Sequence, residues 1–274
     1  MYEEPYRWVE AVGNRRQYLD EQFKQGSPVV ALGYDDGMLL LTISKGTPKL
    51  YEIYDRMALG GMGHPADLEK LRFSFLEMAH VEGFNRSPSD VTGSRLVKYG
   101  VAPVIKQAFE EVYKAPFIVK ILLAELGQKA GKDAFLTVNY DGTFEETTGC
   151  AVLAATPAVQ TDMMAYLRQE TSSGVSLAQA VSAALRVCAL GDRAQRQAGE
   201  EDRDRGDHKE TAAAKPSSAD AAALSAHLRS TVAEKTVECA VLERNQPGSS
   251  KYRTLNPDEL GRLLPADLKA SLAS

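Results

Sequence analysis

The chain contains few residues of the types that form metal sites and disulfides. Its 274 residues include only three cysteines and four histidines. Cys150, Cys188 and Cys239 are odd in number and lack metal-like spacing, which indicates buried thiols in a reducing compartment. The four histidines form no paired ligand spacing: they are His64, His80, His208 and His227. We therefore expect no metal site and no cofactor.

Basic blocks and long apolar runs are also missing. The formal net charge is −5, and no cluster of lysine and arginine suggests a nucleic-acid partner. No apolar run approaches the ~20 residues that are needed to cross a bilayer. The acidic residues 1–5 lack the charged-then-apolar layout of a signal peptide. We expect a cytoplasmic protein with neither a nucleic-acid nor a membrane partner.

Short apolar runs near the N-terminus predict a buried sheet. Residues 29–34 and 38–43 flank the sequence Asp-Asp-Gly, which is a strong hairpin signal. A polar turn at residues 44–48 and a further strand over 49–57 follow. Such continuous apolar runs are typical of a sheet that is covered on both faces. The glycines of residues 60–63 lack the Lys-Ser/Thr of a phosphate loop, so we interpret them as a tight turn into a helix.

The remaining pattern predicts an α+β fold. We expect helices at residues 5–25, 64–83, 90–113 (broken near Pro103), 156–170, 176–190 and 256–274, and strands at 117–126, 134–140, 143–155, 231–244 and 251–255. This order fits a four-layer αββα sandwich of two antiparallel sheets, with residues 1–274 forming a single domain. Residues 191–228 are rich in charge, alanine and serine, which predicts a mobile loop insertion that is partly helical near residues 219–228.

Several stretches together are familiar as a family pattern. They are VVALGYDDGMLLLT from Val29, PKLYEIYDRM from Pro48, the glycine-rich segment after it, DVTG from Asp90 and YDG from Tyr140. Over most of residues 26–253 the chain resembles the α-type subunits of bacterial proteasome core particles. The resemblance implies the sandwich fold of the N-terminal-nucleophile hydrolases. The insertion at 191–228 departs from it, because related subunits have a short connection there.

The resemblance also implies function and partners. Such subunits form homo-heptameric end rings on catalytic β subunits, gate the entry of unfolded protein substrates and dock an AAA+ ring ATPase. The residues before the leading helix would contribute to the gate: Met1, Tyr2, Glu3 and Glu4. Lys49 would line a pocket between neighbouring subunits and pair with the C-terminal carboxylate of the ATPase. The residues alone favour an ordinary strand-edge lysine at position 49, and the resemblance reverses this preference.

The chain itself is expected to be non-catalytic. Active β-type relatives expose a threonine by self-cleavage after a glycine, and Gly26-Ser27 matches that junction. A well-formed helix precedes the junction, Pro28 follows Ser27, and Ile43 stands where active subunits carry an aspartate. A self-processing peptidase or amidase that uses Ser27 remains the alternative. A third possibility is a ring scaffold without β partners.

Overall fold

Two antiparallel sheets of five strands form the centre of the molecule. The computed structural model describes residues 5–111, 113–129, 131–171, 174–204 and 218–264. Sheet 1 contains β1 (Val29–Tyr34), β2 (Gly37–Ser44), β8 (Cys150–Leu153), β9 (Thr236–Glu243) and β10 (Tyr252–Thr254), in the order β10-β9-β2-β1-β8. Sheet 2 contains β3 (Leu50–Tyr54), β4 (Met57–Gly63), β5 (Val119–Glu125), β6 (Ala134–Val138) and β7 (Phe144–Thr147), in chain order.

Helices connect the strands and start at identifiable caps. They are α1 (Pro5–Phe23), α2 (Pro65–Asn85), α3 (Gly93–Arg95), a π-helical turn (Leu96–Val101), α4 (Ala102–Glu110), α5 (Pro157–Glu170), α6 (Leu177–Asp204), α7 (Ser218–Glu234) and α8 (Pro257–Leu263). Thr156 caps α5, and Asn256 and Glu259 form a capping box at α8. The π-helical turn ends two residues before Pro103, which lacks an N–H for the helical ladder. Within the described residues, no helix is long and apolar enough to cross a membrane.

Three apolar clusters separate the layers. One lies between the sheets, one lies between sheet 1 and α5, α6, α7 and α8, and one lies between sheet 2 and α2 and α4. Strand β2 contributes Leu40 to the central cluster and Leu39 and Leu41 to the outer one. Burial of both faces explains the continuous apolar runs. The predicted α+β, four-layer αββα fold with two antiparallel sheets is confirmed.

The glycine-rich segment is strand rather than turn. The predicted single strand over residues 49–57 is in fact two strands, β3 and β4, which turn at Asp55 and Arg56. Gly60 and Gly61 lie inside β4. A Cβ atom would lie 2.8 Å from Val29 Cγ1 at Gly60 and 2.2 Å from Leu68 Cδ1 at Gly61. Glycine is needed because sheet 1 approaches one face of β4 and α2 approaches the other.

The predicted strand over residues 143–155 is likewise divided between the two sheets. Strand β7 pairs with β6, whereas β8 pairs with β1 in the opposite sheet. Gly149 adopts a φ of +80° where the chain passes from one sheet to the other. A positive φ favours glycine, so this residue suits the crossover. The apolar pattern alone does not reveal a change of sheet.

Residues 191–204, which were expected to be loop, are helical in the structure, whereas the helix over residues 219–228 agrees with the prediction. Helix α6 continues through Gly191 to Asp204, and α7 runs from Ser218 to Glu234. The last turn of α7 therefore occupies the first residues of the strand that was predicted over 231–244. A Cβ atom on Gly191 would lie 2.6 Å from Met163 Sδ, so this glycine allows close helix packing instead of ending the helix. Leu224 and Leu228 are buried against the outer cluster of sheet 1. Residues 205–217 lie outside the described residues.

Helix α1 lies at the end of the sandwich where β1 begins, and two side chains of its second half anchor it in the core. Leu19 and Phe23 are fully buried. The Arg15 guanidinium donates to the carbonyl oxygens of Ala108 and Phe109, both at 2.9 Å. At the C-terminal end of α1, Phe23 stacks on Tyr140 with ring centroids 5.7 Å apart. These contacts make α1 an integral part of the fold.

Candidate functional site

A large polar cleft opens at the end of the sandwich where β1 begins. We call it the end cleft; its volume is about 1430 Å³. It is lined by the end of α1 and the α1–β1 connection, the β2–β3 connection, the junction of β4 with α2, α6, and the junction of α7 with β9. Five cationic side chains and three carboxylates line it: Lys24, Lys45, Lys49, Arg196 and Lys235, and Glu21, Asp192 and Glu234. The structure therefore brings together segments that are more than two hundred residues apart in the sequence.

Lys49, the predicted activator-binding residue, lies in the end cleft. The Glu238 carboxylate on β9 accepts hydrogen bonds from the backbone N–H groups of Lys49 and Leu50, both at 2.9 Å. Burial lowers the pKa of Lys49; the Glu238 carboxylate opposes this shift, and the positive charge of Lys235 adds to it. Burial also raises the pKa of Glu238. Because Glu238 fixes the backbone at Lys49, the ammonium is presented from a well-anchored strand start.

A second charged cluster also lines the end cleft. Asp192 on α6 accepts hydrogen bonds from Lys235 (2.7 Å) and His227 (3.0 Å), and it forms an ion pair with Arg196 (2.9 Å). Burial alone would raise the pKa of Asp192, but the hydrogen bond and charge of Lys235 and the charge of Arg196 lower it. Sequence reasoning missed this cluster, because Asp192 and His227 belong to the segment that the composition predicts to be a mobile insertion. An aspartate and an arginine at i and i+4 were the only available signal.

Ser27 also lines the end cleft, but its surroundings hold the backbone at the Gly26–Ser27 junction. Ser27 is 9% exposed. With its amide nitrogen facing Gly26, the buried Gln195 side chain donates to the Gly26 carbonyl (2.9 Å) and accepts from the Ala155 N–H (3.0 Å). The Thr42 hydroxyl donates to the Pro28 carbonyl (2.7 Å). The peptide bond that self-processing would break thus lies in a hydrogen-bonded frame.

The position that an acidic catalytic residue would need is apolar. Ile43 is 4% exposed and packs in the cluster between sheet 1 and its outer helices. A buried isoleucine cannot orient an ammonium or accept a proton. As it stands, the end cleft has cations that suit an anionic ligand and a serine whose amine is still in a peptide bond.

Other predicted positions give less information. The proposed gate residues Met1, Tyr2, Glu3 and Glu4 lie outside the described residues, as does His208. Among the described residues, no group of three or more histidine, cysteine or acidic side chains is arranged to hold a metal ion. The three cysteines are buried thiols.

Comparisons with known proteins give a consistent result. The family described as "Proteasome subunit" matches residues 23–200. "Proteasome subunit alpha" of Saccharopolyspora erythraea is 32% identical over 188 residues, which cover 68% of this chain and 71% of that protein. The protein of the same name from Nocardioides sp. is 31% identical over 180 residues, covering 65% and 68%. That of Actinosynnema mirum is 28% identical over 253 residues, covering 92% and 83%.

Proposed function

The chain belongs to the proteasome subunit family as an α-type member of the bacterial kind, and from this premise we propose that it is a non-catalytic subunit of the core particle. It would form heptameric end rings on catalytic β subunits in the cytoplasm. The rings would gate the pore and dock a ring ATPase, so that only unfolded chains reach the active sites. Protein degradation would then depend on confinement, and this chain would control access.

The observation that carries the non-catalytic assignment is the burial of α1. Cleavage between Gly26 and Ser27 would remove a helix that places Leu19 and Phe23 in the core between the sheets. Burying a phenylalanine contributes on the order of 2–3 kcal/mol by the transfer free energy alone. A removable propeptide would not be expected to complete the core in this way. The isoleucine at position 43 supports the same conclusion.

The docking role is supported by the position of Lys49. A C-terminal carboxylate that enters a partly dehydrated cleft needs a cation to compensate for its lost hydration. Lys49 offers an ammonium at the start of β3, in a cleft with more cations than carboxylates. In a ring, a cleft at the end of each subunit would receive one tail of the activator.

The alternative of a self-processing peptidase or amidase has one observation in its favour. Ser27 and Lys49 line the same cleft, so a freed Ser27 would have a basic group nearby. In the intact chain, however, the Ser27 nitrogen belongs to the peptide bond with Gly26 and cannot act as a base.

Mass spectrometry of the intact purified chain distinguishes these functions. The non-catalytic subunit should retain residues 1–26 and show no peptidase activity. The Ser27→Ala variant should have the same N-terminus and should also be inactive. A species beginning at Ser27, with turnover that is lost in Ser27→Ala, would establish the alternative. Native mass after co-expression with a threonine-headed subunit from the same genome tests the ring and the β partner directly.

A further inference from the structure

Helix α7 brings a second lysine to the end cleft. Lys235 follows the last residue of α7 and precedes β9, and its side chain is 10% exposed. We infer that Lys235 is a second carboxylate-binding cation, so that α7 takes part in recognising the C-terminal tail of the activator. This inference rests on the proposed docking function of Lys49. It concerns a part of the chain that lies beyond the family match, which ends at residue 200.

The positions of the two lysines support a shared ligand. Lys49 enters the end cleft from the β2–β3 connection, and Lys235 enters it from the α7–β9 junction. They are close enough for the charge of Lys235 to lower the pKa of Lys49. Two like charges in a half-buried cleft repel each other. An anion placed between them would relieve this repulsion, so its binding would be favoured by both.

The carboxylates around the end cleft are fewer than its cations. Asp192 is shared by Lys235 and Arg196, and it also accepts from His227. Glu238 accepts from two backbone N–H groups at the start of β3. With Glu238 added to the three carboxylates that line the cleft, four carboxylates stand against five cationic side chains. An excess of positive charge therefore remains over the cleft as a whole.

A peptide C-terminus suits this arrangement better than a side-chain carboxylate on a folded surface. The end cleft is recessed, and a chain terminus is narrow enough to enter it. A carboxylate has two oxygens, and two cations that reach the cleft from different elements allow each oxygen to receive its own charge-assisted hydrogen bond. A single lysine would leave one oxygen to water.

The test uses the assembled core particle and a defined probe. The probe is a fluorescein-labelled peptide of the last ten residues of the ring ATPase from the same genome, prepared as the free acid and as the C-terminal amide. We expect Lys235→Gln to weaken binding of the free acid about tenfold, the effect of one charge-assisted hydrogen bond. Lys235→Arg should retain most of the affinity. The amide should bind weakly and equally to all variants.

Two further variants separate ligand binding from a structural role. Arg229→Gln removes an equal charge from an exposed position of α7 outside the end cleft, and it should have no effect. Asp192→Asn removes the carboxylate that competes for Lys235, so binding of the free acid should become several-fold tighter. If Asp192→Asn particles of normal size bind the free acid more weakly than wild type, the inference is wrong. Lys235 would then serve only to hold Asp192 in place and would not bind the peptide.

The outcomes also distinguish this inference from the proposed function. Loss of binding in Lys49→Gln with unchanged binding in Lys235→Gln would overturn the role of Lys235 and leave the docking function intact. Failure of the wild-type particle to bind the free acid would overturn both.

Discussion

Lys120 illustrates how a single buried charge can join elements. It is 6% exposed, and its ammonium donates to the carbonyl oxygens of Ala154 and Ala155, both at 2.9 Å. It also lies 4.9 Å from the ring centroid of Phe23 on α1. Burial lowers the pKa of Lys120 to about 8, against the attraction of two aspartates. Lys120 therefore links α1 to the sheets, but keeping its ammonium charged in the folded chain costs free energy of folding.

We predict that Lys120 makes stability depend on pH in alkaline solution. Its pKa is lower in the folded chain (about 8) than the ordinary 10.5, so the penalty for burying the cation is complete below pH 8. The penalty is relieved as the pH rises to 10.5, because the unfolded chain keeps its proton longer. Relative to Lys120→Met, the wild type should gain up to about 3 kcal/mol of unfolding free energy over this range.

Urea unfolding of both proteins across this pH range measures the difference. Lys129→Met, which removes an exposed lysine from the turn after β5, is the matched control and should run parallel to the wild type. Parallel profiles for Lys120→Met as well would show that burial does not perturb Lys120.

The proposed role of Lys49 gives a second prediction for a single residue. Lys49→Glu should abolish stimulation by the ATPase and leave basal peptide hydrolysis of the assembled core unchanged. Losing a charge-assisted hydrogen bond worth roughly 1.5–3 kcal/mol weakens each tail by about tenfold to a hundredfold, and several tails dock together. Lys49→Arg should retain part of the binding, since the charge remains.

Pull-down of the ATPase ring by cores of normal size provides the measurement. Lys129→Glu makes the same change of charge at an exposed site outside the end cleft. Equal capture by Lys49→Glu and Lys129→Glu would leave Lys49 as an ordinary strand lysine.

At the scale of elements, local chemistry explains which predictions succeed. The β1–β2 hairpin, the helix starts at Thr156 and Asn256, and the leading helix α1 depend on neighbouring residues, and sequence reasoning found all of them. Sequence reasoning took Gly61 and Gly191 as signs of a turn or a helix end. At both positions a distant element packs so closely that a side chain would not fit. The end cleft could be predicted only at Ser27 and Lys49, because its other wall depends on where α6 and α7 meet β9.

Two glycines with opposite surroundings test this explanation. Gly61→Ala should destabilise the fold by about 1–3 kcal/mol, because its Cβ would overlap the buried Leu68 side chain. Gly13→Ala in α1 should be neutral or stabilise by up to about 1 kcal/mol, since nothing lies within 4 Å of the added atom. Thermal unfolding of the two variants decides the matter. Equal destabilisation by both would mean that close packing does not explain the glycine in β4.

At the scale of the whole molecule, α1 divides into an anchored half and an exposed half. Leu19 and Phe23 are buried within this chain, whereas Trp8 and Val9 are 49% and 64% exposed. Exposed apolar side chains on a surface helix are typical of faces that another subunit covers. This division fits the proposed ring, in which the anchored half holds the helix and the first residues reach the pore.

The division leads to a prediction about gating. Deleting residues 1–7 should raise peptide hydrolysis by the assembled core and leave assembly intact, because Arg15, Leu19 and Phe23 still attach α1 to the sandwich. Extending the deletion through Phe23 should instead impair ring formation, because it removes side chains from the core between the sheets. Native mass and hydrolysis of a short fluorogenic peptide are measured for both truncations. A particle of full size that lacks residues 1–7 and hydrolyses the peptide no faster than wild type would show that Met1 to Glu4 do not form the gate.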